Sequence, residues 1–149
     1  FDHTTTTIRK SSVISNRSEV VNESSSVAAV VARAGGIWMM GSGTKSIEGT
    51  RFFDNRTISR SSTTYDSQNY NSTYSGGLQA AGPEVSIVDC VFEANTSTST
   101  GGVVNMEELA EAIVERCTFR DNESRSNGGA IGSYRSRKVT LVDCIFDSN

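Results

Sequence analysis

Three cysteines are the residues of this sequence with the clearest chemical potential. Cys90, Cys117 and Cys144 follow one another at intervals of 27 residues, so they occupy one position of a repeat. Sulfur atoms at such a position can pack as small apolar groups, form a disulfide or bind a metal ion. We interpret them as reduced packing residues, because three cysteines leave one over and no histidine or carboxylate shares their position. One disulfide is the alternative.

Six Asn-x-Ser/Thr motifs indicate N-glycosylation of a secreted protein. The acceptor residues are Asn16, Asn22, Asn55, Asn71, Asn95 and Asn122. Four of them, including a degenerate copy at Asn16, end a recurring aromatic-x-x-Asn unit. At a strand bend such an asparagine can instead turn inward and form a ladder of amide hydrogen bonds. Asn22 and Asn71 lie outside the unit and escape this alternative.

The sequence offers little material for catalysis, nucleic-acid binding or membrane insertion. His3 is the only histidine, so a histidine-based triad or metal cluster has no basis. A net charge of −3 and a pI of about 5.2 oppose a basic nucleic-acid face. No apolar run approaches the ~20 residues of a membrane span. We therefore predict no enzyme, no catalytic residue, no cofactor, no metal site and no membrane insertion.

The cysteines and most of the sequon asparagines recur at fixed positions of an internal repeat. Four glycine pairs occur, at 35–36, 76–77, 101–102 and 128–129. Between them, aromatic-x-x-Asn units end at Asn55, Asn95, Asn122 and Asn149. Intervals of 39, 40, 27 and 27 residues separate successive asparagines, starting from Asn16. Repeats of about 20–50 residues are typical of solenoids and propellers.

Each repeat combines short stretches of alternating apolar residues. Val85, Ile87, Cys90 and Phe92 match Ala112, Val114, Cys117 and Phe119, and also Val139, Leu141, Cys144 and Phe146. Because side chains alternate along a strand, these residues lie on one face. The second and third residues of each set are three positions apart instead of two, which indicates a bend between them. After the glycine pairs, a further apolar column contains Ile37, Leu78, Val103 and Ala130. A unit of 27 residues is too short for a propeller blade of about 40–45 residues and predicts one coil of a parallel β-helix.

The expected organisation is one β-helix domain over 1–149, with about five coils of ~27 residues. Two insertions, roughly 20–33 and 58–75, lengthen the early repeats. The second is polar and rich in tyrosine, so we predict a surface loop outside the solenoid. Met106–Glu115 has the local composition of a helix, but the repeat frame assigns Ala112 and Val114 to a strand, and we follow the frame.

The frame makes two predictions about side chains. The core column contains Phe52, Phe92, Phe119 and Phe146 beside Cys90, Cys117 and Cys144. Two outward columns read acid, arginine, acid: Asp89, Arg116 and Asp143, then Glu93, Arg120 and Asp147. Neighbours within these columns are expected to pair, since in-register strands bring them within roughly 5 Å.

The repeats resemble the right-handed β-helix repeats of polymorphic outer membrane proteins, which combine GGA-[ILV] with FxxN. Gly128-Gly129-Ala130-Ile131 matches the first motif fully, and the other three copies depart at its third or fourth position. FxxN is complete in four units, which begin at Phe52, Phe92, Phe119 and Phe146. The resemblance implies a right-handed β-helix and an extracellular adhesive or structural rod.

We therefore predict a non-enzymatic extracellular structural or adhesive glycoprotein, as a subunit or segment of a surface filament. The strand edge at Val139–Phe146 has no polar cap, which favours self-association end to end or laterally, or continuation into further coils. The alternative is a carbohydrate-binding or carbohydrate-cleaving β-helix of the pectin-lyase type. Its aromatic contacts would come from Trp38, Tyr65, Tyr70 and Tyr74. No nucleic-acid partner is expected.

Overall fold

The computed structural model describes residues 5–22, 31–61, 72–98, 103–109, 111–125 and 128–149. All regular structure in these ranges is β-strand. In chain order the strands are β1 (Thr6–Arg9), β2 (Ser12–Ile14), β3 (Arg17–Asn22), β4 (Val31–Ala34), β5 (Ile37–Met39), β6 (Lys45–Glu48), β7 (Arg51–Phe53), β8 (Arg56–Ser61), β9 (Ser72–Ser75), β10 (Leu78–Ala81), β11 (Glu84–Val88), β12 (Val91–Glu93), β13 (Thr96–Ser97), β14 (Val104–Glu107), β15 (Glu111–Glu115), β16 (Thr118–Arg120), β17 (Glu123–Ser124), β18 (Ile131–Tyr134), β19 (Val139–Val142) and β20 (Ile145–Asp147).

The strands pair between repeats and form parallel sheets. Two sheets have five strands, in the orders β1-β6-β11-β15-β19 and β2-β7-β12-β16-β20. Two have four, in the orders β3-β8-β13-β17 and β5-β10-β14-β18, and β4 pairs with β9. Every strand lies beside its counterpart in the next repeat, so the chain is a parallel β-solenoid, as the repeats predicted.

The observed pairing confirms the 27-residue frame. Val85 lies beside Ala112, which lies beside Val139 on the far side. Phe92 lies beside Phe119 in the same way. Identical repeat positions therefore stack directly above one another, and each column of side chains runs along the solenoid axis.

The core consists of these stacked columns. The phenylalanine rings of Phe52, Phe92, Phe119 and Phe146 are parallel, with centroids 4.6, 5.0 and 4.9 Å apart. Beside them the aliphatic column of Ile47, Ile87 and Val114 is fully buried. Since each ring stacks on its counterpart in an adjacent coil, burial of the inner rings depends on both neighbouring coils being present.

One residue with positive φ makes each bend between the first two strands of a repeat. In successive repeats these are Asp89 (φ 54°), Arg116 (50°) and Asp143 (50°). A second set precedes the FxxN asparagines and includes Ala94 (53°) and Asp121 (52°). A single residue in the left-handed region turns the chain, so the inward positions on either side lie three residues apart. This is the change from two-residue to three-residue spacing that the repeat pattern predicted.

The predicted column after the glycine pairs is confirmed between Ile37 and Leu78 but is wrong by one residue between Leu78 and Val103. Its expected members were Ile37, Leu78, Val103 and Ala130. Instead Leu78 pairs with Val104, and Val104 pairs with Ile131. The main-chain N–H groups of Gly77 and Leu78 both donate to the Val103 carbonyl, at 3.0 and 2.9 Å. This local bulge displaces the glycine motif by one residue relative to the register of the 27-residue repeat.

The edges of both predicted insertions form strands. β3 pairs with β8 as far as Asn22 and Ser61, and β4 pairs with β9. Residues 58–61 and 72–75 are therefore strand, and the surface loop predicted over 58–75 stays a prediction. Main-chain pairing between adjacent repeats accommodates polar strands without an apolar face. Residues 23–30 and 62–71 lie outside the described part of the chain.

The segment with helical composition forms strands. Its first two residues end β14, Glu108 makes a bend at φ 54°, and Glu111–Glu115 is β15. Ala112 and Val114 are buried in the core columns. Tertiary stacking therefore overrides local helix propensity here, as the repeat frame predicted.

The bends generate a testable prediction about backbone strain. Replacing Ala94 by glycine should stabilise the protein by about 0.5–1 kcal/mol, because glycine adopts positive φ without steric cost. The reverse change, Gly49→Ala, should destabilise it by about 1 kcal/mol. Gly49 has φ 57°, and an added Cβ would meet nothing closer than 3.6 Å, so only conformation changes. Urea unfolding measures both; equal effects of the same sign would contradict this account of the bends.

Candidate interaction surface

Asparagine side chains close the bend at the end of each FxxN unit. We call the column of Asn16, Asn55, Asn95, Asn122 and Asn149 the Asn ladder. Within it, both the main-chain N–H and Nδ2 of Asn55 donate to Oδ1 of Asn95, at 3.0 and 2.9 Å. Asn95 donates in the same way to Asn122, at 3.1 Å for both bonds. Asn55, Asn95 and Asn122 are buried.

The second Nδ2 proton of each inner asparagine is donated to a main-chain carbonyl of the preceding coil. Nδ2 of Asn95 donates to the Phe52 carbonyl at 3.0 Å, and Nδ2 of Asn122 donates to the Phe92 carbonyl at 2.9 Å. One amide therefore joins three coils and satisfies buried polar groups that a bend would otherwise leave without partners.

At Asn55, Asn95 and Asn122 this geometry is that of the inward-amide alternative. Each residue is buried, and its Nδ2, the atom that would carry a glycan, donates two hydrogen bonds. Glycosylation at these three positions stays a prediction. Asn16 is exposed, although its Nδ2 donates to Asn55 at 2.9 Å. Asn22 ends β3, and Asn71 lies outside the described residues.

The cysteines are free thiols in the core. Cys90 and Cys117 are buried and Cys144 is half-buried. The main-chain N–H of Cys90 donates to Sγ of Cys117 at 3.4 Å, and each thiol lies near the carbonyl two residues before it. A side-chain hydrogen bond with Cys90, together with burial, raises the pKa of the Cys117 thiol, and the same hydrogen bond lowers the pKa of the Cys90 thiol. The arrangement suits packing in the core.

The core is open at β19 and β20. Leu141 and Phe146 are 49% and 47% exposed, whereas Val114 and Phe119, at the same positions one coil earlier, are fully buried. We call Val139, Leu141, Cys144, Phe146 and Asn149 the C-terminal end surface. Its side chains belong to core columns, and the strands beneath it are sheet edges in the described chain. An apolar patch bordered by strand edges is typical of an interaction site.

The Asn ladder is also incomplete at this end. Oδ1 of Asn149 accepts from Asn122 at 2.7 Å, and its Nδ2 donates to the Phe119 carbonyl at 3.0 Å, as in the inner coils. Its other Nδ2 proton, however, turns back to the carbonyl of Asp147, two residues away, at 3.1 Å. In the inner coils, the corresponding Nδ2 proton is donated to Oδ1 of the following asparagine.

The opposite end exposes the same columns at β1 and β2. We call Thr6, Ile8, Ser11, Val13 and Asn16 the N-terminal end surface. Ile8 pairs with Ile47 and Val13 with Phe52 on their inner side, and both are only half-buried. The two ends therefore present matched positions of one repeat.

The predicted charge columns form in part. Nε and Nη2 of Arg116 bind Asp89 at 2.7 and 3.0 Å, and this hydrogen bonding lowers the pKa of the Asp89 carboxyl. Nε of Arg120 lies 3.4 Å from Asp147. Glu93 pairs instead with Arg51 of β7, at 2.9 Å. Opposite charges thus meet across adjacent coils, and exposed pairs of this kind contribute more to register than to stability.

Of the four aromatic residues considered for carbohydrate binding, only Trp38 has a described side chain. Trp38 is half exposed on β5, at one edge of its sheet, and Tyr134 is half exposed on β18, at the other. Tyr74 lies in β9, and Tyr65 and Tyr70 fall outside the described residues.

A buried lysine was not predicted from the sequence. Lys45 occupies the core position of Val85, where burial lowers its pKa. Its Nζ donates to the carbonyls of Gly41 and Gly43, the second at 2.6 Å. A Cβ at Gly82 would collide with Nζ, so glycine is required there. Lys45 thus holds the 41–43 turn against the core, a structural role.

Comparison with protein-family models, with curated proteins and with solved structures finds no match to this chain. The described ranges contain no helix long and apolar enough to cross a membrane. Among the same residues, no three histidine, cysteine, aspartate or glutamate side chains are grouped so that they could hold a metal ion. The site must therefore be interpreted from its own geometry.

The Asn ladder generates a prediction about stability. Replacing Asn95 by alanine should cost about 3–5 kcal/mol, because it leaves buried groups on Asn55 and Phe52 without partners. Asn16→Ala is the matched control, since Asn16 is exposed at the end of the same column, and it should cost about 1 kcal/mol or less. Chemical denaturation compares the two; similar losses would contradict the structural role of the inner amides.

Proposed function

We propose that this chain is a non-enzymatic structural or adhesive rod of the extracellular surface, extended at its C-terminal end surface. The observation that carries the proposal is the exposure of core residues Leu141 and Phe146 at the edge of β19 and β20. In finer detail, the proposal describes a right-handed β-helix of about five coils, which acts as a subunit or segment of a filament.

The energetics of a solenoid support extension at this surface. Each coil buries its columns only against its neighbours, so a coil with one neighbour leaves half of its apolar contacts unmade. Covering the exposed halves of Leu141 and Phe146 would contribute about 0.7–1.5 kcal/mol each, on the usual value of about 1.5–3 kcal/mol for a whole side chain. Pairing of the sheet edges would satisfy main-chain groups at the same time.

The proposed extracellular location of the protein rests on its composition and on three Asn-x-Ser/Thr motifs. Asn16 is exposed in the structure, and Asn22 and Asn71 do not belong to FxxN units of the sequence. Glycosylation at these three positions is part of the proposal. The resemblance to the repeats of polymorphic outer membrane proteins supports a surface protein in the same sense.

The test compares two lysine substitutions on β19. Leu141→Lys places a charge in the C-terminal end surface, whereas Thr140→Lys places the same charge on the neighbouring position of the same strand, whose side chain projects from the other face. We expect the unmodified chain and Thr140→Lys to associate with increasing concentration in sedimentation velocity. Leu141→Lys should remain monomeric, because burial of the lysine charge is unfavourable.

Thermal unfolding of both variants is the control for folding. An unmodified chain that stays monomeric throughout, or a Leu141→Lys variant that associates as strongly as Thr140→Lys, would refute extension at this surface.

A further inference from the structure

The three cysteines form a column in which every thiol has the same surroundings. We call Cys90, Cys117 and Cys144 the cysteine column. Each Sγ lies 3.2–3.3 Å from the carbonyl oxygen two residues before it and 3.4–3.7 Å from a carbonyl oxygen of the preceding coil. The thiols therefore share one side-chain orientation, and neighbouring sulfur atoms are separated by the translation from one coil to the next.

The stacked phenylalanine rings beside the cysteines measure this translation. The ring centroids of Phe92 and Phe119, two residues beyond Cys90 and Cys117, lie 5.0 Å apart, and the next pair in the same column lies 4.9 Å apart. Main-chain hydrogen bonds hold the coils at this distance, because the Cys90 carbonyl accepts from the N–H of Thr118 at 2.9 Å. Neighbouring sulfur atoms are therefore expected about 5 Å apart.

This spacing disfavours a disulfide but fits a metal ion with two ligands. A disulfide usually needs Cβ atoms about 3.5–4.5 Å apart, whereas equivalent ring centroids of these coils stack 4.9–5.0 Å apart. A metal–thiolate bond is about 2.3 Å long, so two such bonds in line span about 4.6 Å. Thiolates select soft cations, and Cu(I) accepts two of them in line.

We propose that the cysteine column binds one soft monovalent cation, with Cu(I) as the type, in line between Cys117 and a neighbouring cysteine. The lack of a histidine or carboxylate at the cysteine position opposed a metal site in the sequence, but a two-coordinate soft cation needs neither. The site lies between coils inside the described chain. It therefore depends neither on the ends of the sequence nor on the proposed function.

Binding exchanges protons for the metal ion without a change of oxidation state. The two thiols lose their protons to solvent, and two metal–sulfur bonds form. The monovalent cation leaves one negative charge on the pair of thiolates. The main-chain N–H of Cys90, which donates to Sγ of Cys117 at 3.4 Å, faces that charge. Because Cys90 and Cys117 are each only 1% exposed, bulk water does not compete as a ligand between them.

The experiment compares two single variants of the full chain that retain the same number of thiols. Cys117→Ser leaves Cys90 and Cys144, which lie two coil spacings apart, whereas Cys90→Ser leaves Cys117 and Cys144 in adjacent coils. Each protein competes with the coloured chelator bicinchoninate for Cu(I), under anaerobic conditions with ascorbate. The unmodified chain and Cys90→Ser should each take one Cu(I). Cys117→Ser should take none, because its two thiols are too far apart to share a linear ion.

X-ray absorption of the loaded, unmodified chain should show copper bound to two sulfur atoms in line. Far-UV circular dichroism is the control for folding of each variant. Cys90→Ala and Cys117→Ala repeat the comparison without a buried hydroxyl, in case either serine variant fails to fold. Equal uptake of Cu(I) by the two variants, no uptake by the unmodified chain, or copper with three or more ligands would overturn the site.

Discussion

The bend after each phenylalanine depends on one asparagine side chain that must point inward. Its Oδ1 accepts two hydrogen bonds from the asparagine before it, and its Nδ2 donates to the following asparagine and to a carbonyl of the preceding coil. No other neutral side chain supplies two acceptor sites and two donors at this reach, apart from the longer glutamine. The repeat FxxN follows from this constraint, since the aromatic ring and the amide occupy adjacent inward positions of one bend.

The same constraint links the coils into a one-dimensional structure with a direction. Each asparagine satisfies groups in the coils on both sides, so no coil is complete without its neighbours. Stacked phenylalanine rings and aliphatic columns add apolar contact along the same axis. The donor-to-acceptor order of the ladder gives the stack of described coils its direction.

Repeat spacing was sufficient to predict the fold class and most of the register, because identical inward positions recur at Cys90, Cys117 and Phe92, Phe119 with constant intervals. It failed where backbone geometry departs from that frame. The bulge at Gly77 and Leu78 shifts the glycine motif by a residue and leaves no mark in composition. The Asn-x-Ser/Thr motif could not distinguish an inward Asn95 from a glycosylated one, because the sequence is identical in both cases. Lys45 is buried only because turn carbonyls at Gly41 and Gly43 face it, and a sequence does not show that proximity.

The most direct test of the inward amides is NMR of the asparagine side chains in the folded protein. The account predicts slow hydrogen exchange of the Nδ2 protons of Asn55, Asn95 and Asn122, and a coupling across the hydrogen bond between Nδ2 of Asn95 and the carbonyl carbon of Phe52. It also predicts a nuclear Overhauser effect between the side-chain amides of Asn55 and Asn95, which lie 40 residues apart in sequence. Rapid exchange of these protons, at the rate of a solvent-exposed amide, with no such coupling would contradict the Asn ladder and the stacking built on it.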